Sequence, residues 1–282
     1  MTAPRPRPAT QPDDDIRIVP FEDAHLHGAL RLSAQAGWPH RADDWQLTRS
    51  VSEGVVALLG DDVVGTALCS LLGDVAMINM IIVDARMRGR GLGRALMDRV
   101  IPLGGARELR LVATEDGRPL YEKLGFLPCG EVRKHQGTAQ DARPELPIRT
   151  GDAQDVPALA ALDQQASGMS RAGLLATIAA RGEVLRSDDG GFALLRDFGQ
   201  GRVLGPVVAR DAAHAAALMA EAAHRCAGQH MRVDLPGDAG LGETATRLGL
   251  ALAGVSTAMN RGAKDRAPSD FKTFGLVSQA LG

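Results

Sequence analysis

Aromatic residues are scarce in this chain, with one Tyr, two Trp and six Phe among 282 residues. Proteins that hold single-stranded nucleic acid need aromatic platforms, so that function class is disfavoured at the outset. Cysteine is equally sparse. Cys69, Cys129 and Cys226 are odd in number, lie far apart and form no C-x-x-C pair, and they read as thiols of a reducing cytosol. Charge of one sign is lacking too: 32 Lys and Arg against 34 Asp and Glu leave a net charge of −2, which argues against a general polyanion binder. No apolar run approaches the roughly 18 residues of a membrane-spanning helix. Residues 1–8 lack the apolar stretch of a secretory signal. The expectation is a cytoplasmic protein with neither a nucleic-acid nor a membrane partner and no metal.

Hydrophobic residues make up 45% and charged residues 23%, a globular balance whose core must come largely from Ala, Leu and Val. At roughly 150 residues per domain the length fits about two domains. Residues 1–15 are rich in Pro, end in Asp13-Asp14-Asp15 and read as a disordered tail. From Ile16 the pattern alternates. Strands are expected over 16–20, 55–59, 63–72, 75–84, 109–113 and 126–133, and helices over 24–36, around Trp45, from the end of a Gly/Arg loop to about 103, and over 118–124. The polar stretch 135–145 reads as a linker. Beyond it the order starts again, with strands near 147–150, 191–196, 201–209, 231–235 and 250–259 and helices over 152–165 and 212–226. Two halves, 16–134 and 146–282, with one element order imply a duplicated α+β domain.

The segment that carries chemistry runs Met80-Ile81-Ile82-Val83-Asp84-Ala85-Arg86-Met87-Arg88-Gly89-Arg90-Gly91-Leu92-Gly93-Arg94. A buried strand enters a glycine-studded turn that opens a helix. Glycines permit close backbone approach, the helix start leaves N–H groups unpaired, and the dipole and four arginines favour an anion such as a pyrophosphate. The dinucleotide fingerprint G-x-G-x-x-G fails because Arg94 stands at its last position, and no Gly-Lys-Ser/Thr of a P-loop occurs. What remains is R-x-x-G-x-G from Arg88 to Gly93.

That loop resembles the acetyl-CoA loop of the GCN5-related N-acetyltransferase (GNAT) superfamily. A second segment, Tyr121-Glu122-Lys123-Leu124-Gly125-Phe126, resembles the superfamily's other signature, a short helix that ends at Gly and enters a strand. The match covers about residues 16–134. It implies an α+β fold of two tandem GNAT-like domains, each a mixed, largely antiparallel twisted sheet flanked by helices. It further implies acetyl-CoA as co-substrate, with Ile81, Ile82 and Val83 bonding the pantetheine arm through their backbone and Arg88, Gly89, Arg90, Gly91, Leu92, Gly93 and Arg94 holding the pyrophosphate. Tyr121, the single tyrosine, matches the residue that protonates the departing thiolate, and the N–H of Val83 is the expected donor to the thioester oxygen. Ala85 stands where the family often has Pro, and Thr114 where it often has Asn.

Asp84, Glu115 and Asp116 are the candidate general bases, though each is better read as a solvated or capping carboxylate. His25, His27, His40 and His135 show no i,i+4 metal spacing and read as surface or capping residues. The second half lacks the glycine loop. Its Val203-Leu204-Gly205-Pro206-Val207-Val208 and the tail from Phe271 resemble the C-terminal domain of YitH-like tandem acetyltransferases, which implies one active site in the first half and an acceptor pocket near the junction, with Trp38 or Trp45 in it or merely anchoring helices. Gly205-Pro206 reads equally well as a bulge. The expected activity is N-acetylation of a small-molecule amine. A non-catalytic CoA-binding module and a protein or peptide N-acetyltransferase stay open, as does a homodimer.

Overall fold

The computed structural model describes residues 16–282, so the tail expected over residues 1–15 lies outside the described residues. The first half runs β1 (Ile16–Pro20), α1 (Leu26–Gln35), α2 (Ala42–Arg49), β2 (Ser52–Leu59), β3 (Asp62–Leu72), β4 (Val75–Val83), α3 (Leu92–Val100), β5 (Glu108–Ala113), α4 (Arg118–Lys123) and β6 (Leu127–Thr138). The second half repeats the order: β7 (Ile148–Gly151), α5 (Val156–Ser167), α6 (Ala172–Ala179), β8 (Glu183–Ser187), β9 (Phe192–Phe198), β10 (Gly201–Ala209), α7 (Ala212–Arg225), β11 (His230–Pro236), α8 (Gly242–Arg247) and β12 (Ala251–Arg261), with β13 (Lys272–Gly275) added. Short 3-10 turns at Asp23–His25, Ala85–Met87 and Ile101–Gly104 join helices to their neighbours. The duplication read from element order is therefore complete. Four elements went unread in the sequence: α6, β8, α8 and β13.

Both halves share one 13-stranded sheet, ordered β1-β2-β3-β4-β5-β12-β6-β11-β10-β9-β8-β7, with β13 set against β10. Only β4–β5 and β10–β11 pair in parallel among the described strands. The last strand of each half has crossed over: β12 lies between β5 and β6, and β6 lies between β12 and β11. This corrects the linker expected over 135–145. Its first four residues, His135 to Thr138, complete β6. They lack an apolar pattern because their hydrogen-bond partners come from the other half, with His135 opposite Val233 on one side and Leu252 on the other. Register, not hydrophobicity, holds them.

The helices cover both faces. Leu92, Leu96, Met97 and Val100 of α3, spaced on one side of the helix, pack on Ala57, Ile78 and Leu111. On the other face Ala29 and Leu32 of α1 and Trp45 of α2 close over Val56, Leu68 and Met80. Trp45 is fully buried, stacks on Phe21 at 5.8 Å and donates its indole N–H to Ser33 Oγ. It is a core residue.

Candidate active site

β4 and β5 touch over three residue pairs, Val75–Glu108 to Met77–Arg110, and then part. Beyond Met77, β4 keeps its pairing with β3 while β5 leans on β12, and a gap opens between them. A bulge sits in the middle of the free stretch. Leu68 faces Asn79 and Thr66 faces Ile82, so Met80 and Ile81 share the space of one residue. Met80 adopts a φ of 50°, the one positive value at a non-glycine residue among those described, and Thr66 Oγ1 donates to its carbonyl at 2.7 Å. The bulge reverses the strand's faces. Ala76 and Ile78 lie on the α3 side before it, and Ile81 and Val83 lie there after it. Asp84 N–H donates to Val64 at 2.9 Å, so by antiparallel alternation Ile82 addresses β3 and the backbone groups of Ile81 and Val83 address the gap. Ile82, read as a backbone contact for a ligand, pairs instead with Thr66 of β3, and its side chain packs into the core beneath α1 and α2, although the residue borders the cleft.

The gap runs into the glycine turn. Gly89 and Gly91 take φ values of 77° and 78°, and a Cβ on either would meet nothing within 4 Å, so conformation rather than space demands glycine. Gly91 is the N-cap of α3, and the first helical bond runs from Ala95 N–H to Gly91, which leaves the preceding N–H groups of the helix start directed outward. Together Ile81, Val83, Arg88, Gly91, Gly93 and Arg94 line a cleft of about 750 Å³, which Gly89 and Leu92 also border. Arg90 does not border it. Arg86 turns away to Asp84, donating through Nε and Nη2 at 3.1 and 2.8 Å, and Arg31 lies 3.6 Å from the same carboxylate. The Arg86 hydrogen bond, more than any other cause, holds the Asp84 carboxyl down at about 2. Asp84 also accepts from Arg86 N–H, so it is a cap and not a base.

Tyr121 sits at the far end of the cleft. It is 7% exposed, packs edge-on against Phe126 at 6.3 Å, and would be struck by a Cβ on Gly117. Burial alone pushes its phenol up to about 12. Beyond it lies a second, smaller cavity of about 220 Å³. Trp38, Ile81, Thr114 and Tyr121 border both spaces. Thr114 Oγ1 accepts from Gly117 N–H at 3.2 Å, which shapes the turn that presents Tyr121. Of the two tryptophans only Trp38 reaches this place.

Walls from both halves enclose the small cavity: Phe198 of β9, Arg232 of β11, Gly254 to Ser256 of β12 and Ser278 to Ala280 beyond β13. These residues escaped the sequence reading because only the strand exchange brings them here. His40 was read as a surface or capping residue and is corrected: it borders the cavity, Phe198 stands 5.4 Å away, and its Nδ1 is buried without a partner among the described residues. Burial drives its pKa down to about 4, so it is neutral at physiological pH. His135 is buried as well, against the Leu250 carbonyl, whereas His25 caps the first turn as expected. Asp116 borders the cleft; Glu115 does not.

The second half has the same parting of strands, and there it is filled. β10 and β11 pair only from Arg202–Met231 to Leu204–Val233. β10 carries its own bulge between Leu204 and Val207, where Gly205-Pro206 had suggested one. Into the gap comes β13, paired with β10 from Ala209–Lys272 to Val207–Gly275, while Leu276 N–H donates to Asp234 of β11 at 2.9 Å. A Cβ on Gly205 would collide with the Leu276 carbonyl. At the start of α7 the carboxylate of Asp211 accepts from His214 N–H at 3.0 Å, where the first half has its glycine turn.

A model of the acetyltransferase (GNAT) family matches residues 19–126, and one of an acetyltransferase (GNAT) domain matches residues 159–275. The uncharacterized N-acetyltransferase YitH of Bacillus subtilis is 30% identical over 234 residues, 78% of this chain and 82% of its own length. The chain belongs to the GNAT acetyltransferases. It is an acetyl-transferring enzyme of the tandem, YitH-like group. Solved structures agree on the GNAT fold. An acetyltransferase candidate from Pyrococcus horikoshii superposes with a TM-score of 0.81 at 18% identity, covering 97% of this chain and 98% of that one. A GCN5-related N-acetyltransferase from Sphaerobacter thermophilus gives 0.58 at 17% identity, over 89% and 96%. No described helix of this GNAT protein is long and apolar enough to cross a membrane.

Proposed function

We propose that this GNAT enzyme transfers the acetyl group of acetyl-CoA to the primary amine of a small molecule in the cytoplasm, with Tyr121 as general acid. The supporting observation is the shared wall: Tyr121 borders both the cleft and the small cavity. The gap between β4 and β5 suits a pantetheine arm, whose amides find the free backbone groups of Ile81 and Val83. The turn from Arg88 to Arg94 and the start of α3 suit the pyrophosphate. Ile81, which borders both spaces, is better placed than Val83 to donate its N–H to the thioester oxygen. The amine nitrogen bonds to the carbonyl carbon as the carbon–sulfur bond breaks, and Tyr121 gives its proton to the sulfur. No described carboxylate borders the small cavity, and His40, with its pKa held at about 4, is too weak a base, so the amine's proton passes to water. A cavity of about 220 Å³ walled by the second half favours a small molecule over a polypeptide acceptor.

Calorimetry with acetyl-CoA and release of free thiol in the presence of amines test this reading. Tyr121→Phe is expected to lower kcat by about a hundredfold or more while the KM for acetyl-CoA stays within about twofold. Full activity of that variant removes Tyr121 from the acid's role. Absence of any uptake of CoA or its thioesters overturns the whole reading.

A further inference from the structure

The small cavity is charged in one sense only. Lys134 and Arg232 border it, and no Asp or Glu among the described residues does. Arg232 is already answered from behind. Its Nε and Nη2 reach both oxygens of the fully buried Asp234 at 2.7 to 3.1 Å, and Gln279 Nε2 adds a bond to the same carboxylate at 3.2 Å. The guanidinium lies 5.1 Å from the centre of the Phe198 ring, fixed in place. Lys134 is different. It faces Asp234 across the β6–β11 ladder, yet no described carboxylate comes within ion-pair distance of it, because Asp234 is committed to Arg232. On its other side β12 places Gly254 opposite, whose lack of a side chain adds no group that could pair with the ammonium. His40 is neutral and cancels none of this charge. One net positive charge from the described residues therefore faces a cavity whose other walls are Trp38, Phe198, aliphatic side chains such as Ile78, Val112 and Val255, and short polar groups.

We propose that the acceptor is a primary amine that also carries an anionic group, a carboxylate, seated on the Lys134 ammonium with its amine toward Tyr121. The inference rests on the reading of the small cavity as the acceptor site. A half-enclosed ammonium without a partner gains a charge-assisted hydrogen bond from such a ligand, and it repels a second cation. Amino carboxylates are accordingly favoured, and polyamines and other polycations are rejected. The carbon chain between the two ends lies against Trp38 and Phe198.

The test compares matched acceptors of one chain length: an ω-amino carboxylate, the alkylamine that lacks the carboxylate, and the diamine that replaces it with a second amine. With wild-type enzyme and saturating acetyl-CoA, kcat/KM is expected to be at least about tenfold higher for the amino carboxylate than for the alkylamine, and lowest for the diamine. Lys134→Met should remove that preference through KM, and Lys134→Glu should invert it toward the diamine. Neither should move the KM for acetyl-CoA, and melting curves check that both fold. Inversion by a single charge is a readout that a merely structural Lys134 would not give. Alkylamine or diamine turned over as well as the amino carboxylate, or a Lys134→Glu enzyme with unchanged preference, overturns the inference and leaves the acetyltransferase reading standing. Acetyl-CoA uptake without acetylation of any amine in the series overturns both.

Discussion

At the scale of single residues, the site depends on two groups whose protonation the fold fixes in opposite ways. Tyr121 is buried in a chain that otherwise has no tyrosine, and the only force on its phenol is loss of water. A phenol raised to about 12 stays protonated through the whole range in which an amine becomes nucleophilic. The rate should thus rise as the amine deprotonates and hold level to about pH 10, with no fall that belongs to Tyr121 below about pH 11. A kcat profile that drops with an apparent pKa between about 9 and 10 would take the acid's role away from this residue. Asp84 is the counterpart. Arg86 and Arg31 depress it to about 2, below the roughly 3.9 of an unfolded aspartate, so the stability it contributes is present above about pH 4 and is lost as pH falls toward about 2. Asp84→Asn is expected to cost on the order of 2 kcal/mol at neutral pH and to flatten the acid side of the unfolding curve. Urea melts at pH 7 and pH 3 measure both effects.

Among the elements, the strand–turn–helix unit formed by β4, the glycine turn and α3 does most to build the cleft. Gly91 has open space around it and a left-handed backbone. Gly91→Ala should therefore strain the turn by about 1–2 kcal/mol and weaken acetyl-CoA binding about tenfold, with a shift in melting temperature of only a few degrees, as titration calorimetry and thermal melts can show. This unit was legible in the sequence because its signals are local: alternation in the strand, glycine spacing in the turn, and Leu92, Leu96 and Val100 down one side of the helix. The short helix that carries Tyr121, closed by Gly125, was legible for the same reason. β6 was not, beyond Arg133. Lys134 to Thr138 show no period, since strands remote in sequence flank them on both sides. The small cavity stayed hidden with them, because Lys134, Phe198, Arg232 and Gly254 meet only through that pairing. Trp38 and Trp45 illustrate the limit well. They lie seven positions apart, Trp38 in the connection between α1 and α2 and Trp45 in α2, and the boundary that separates the one at the cavity from the one in the core went unread.

For the whole molecule, the crossed strands decide how the halves can behave. β12 completes the first half's sheet and β6 completes the second's, so neither half holds all its own strands. A fragment of residues 16–134 would leave β5 without its neighbour and expose a bare edge. Differential scanning calorimetry of the intact chain should show one cooperative transition, and the fragment alone should fail to give a dispersed amide spectrum. Two separate transitions would mean that the halves fold independently. β13 gives this coupling a further sense. The copy whose parted strands are stopped by β13 carries, in effect, a resident ligand spelled in its own polypeptide, and its firmness does not vary with any metabolite. On the proposed function its twin, open between β4 and β5, would gain stability from the coenzyme only as the logarithm of its concentration. Because the two are woven through β6 and β12, the self-sufficient copy would then serve as ballast, keeping the proposed donor-binding copy in shape when its donor runs short.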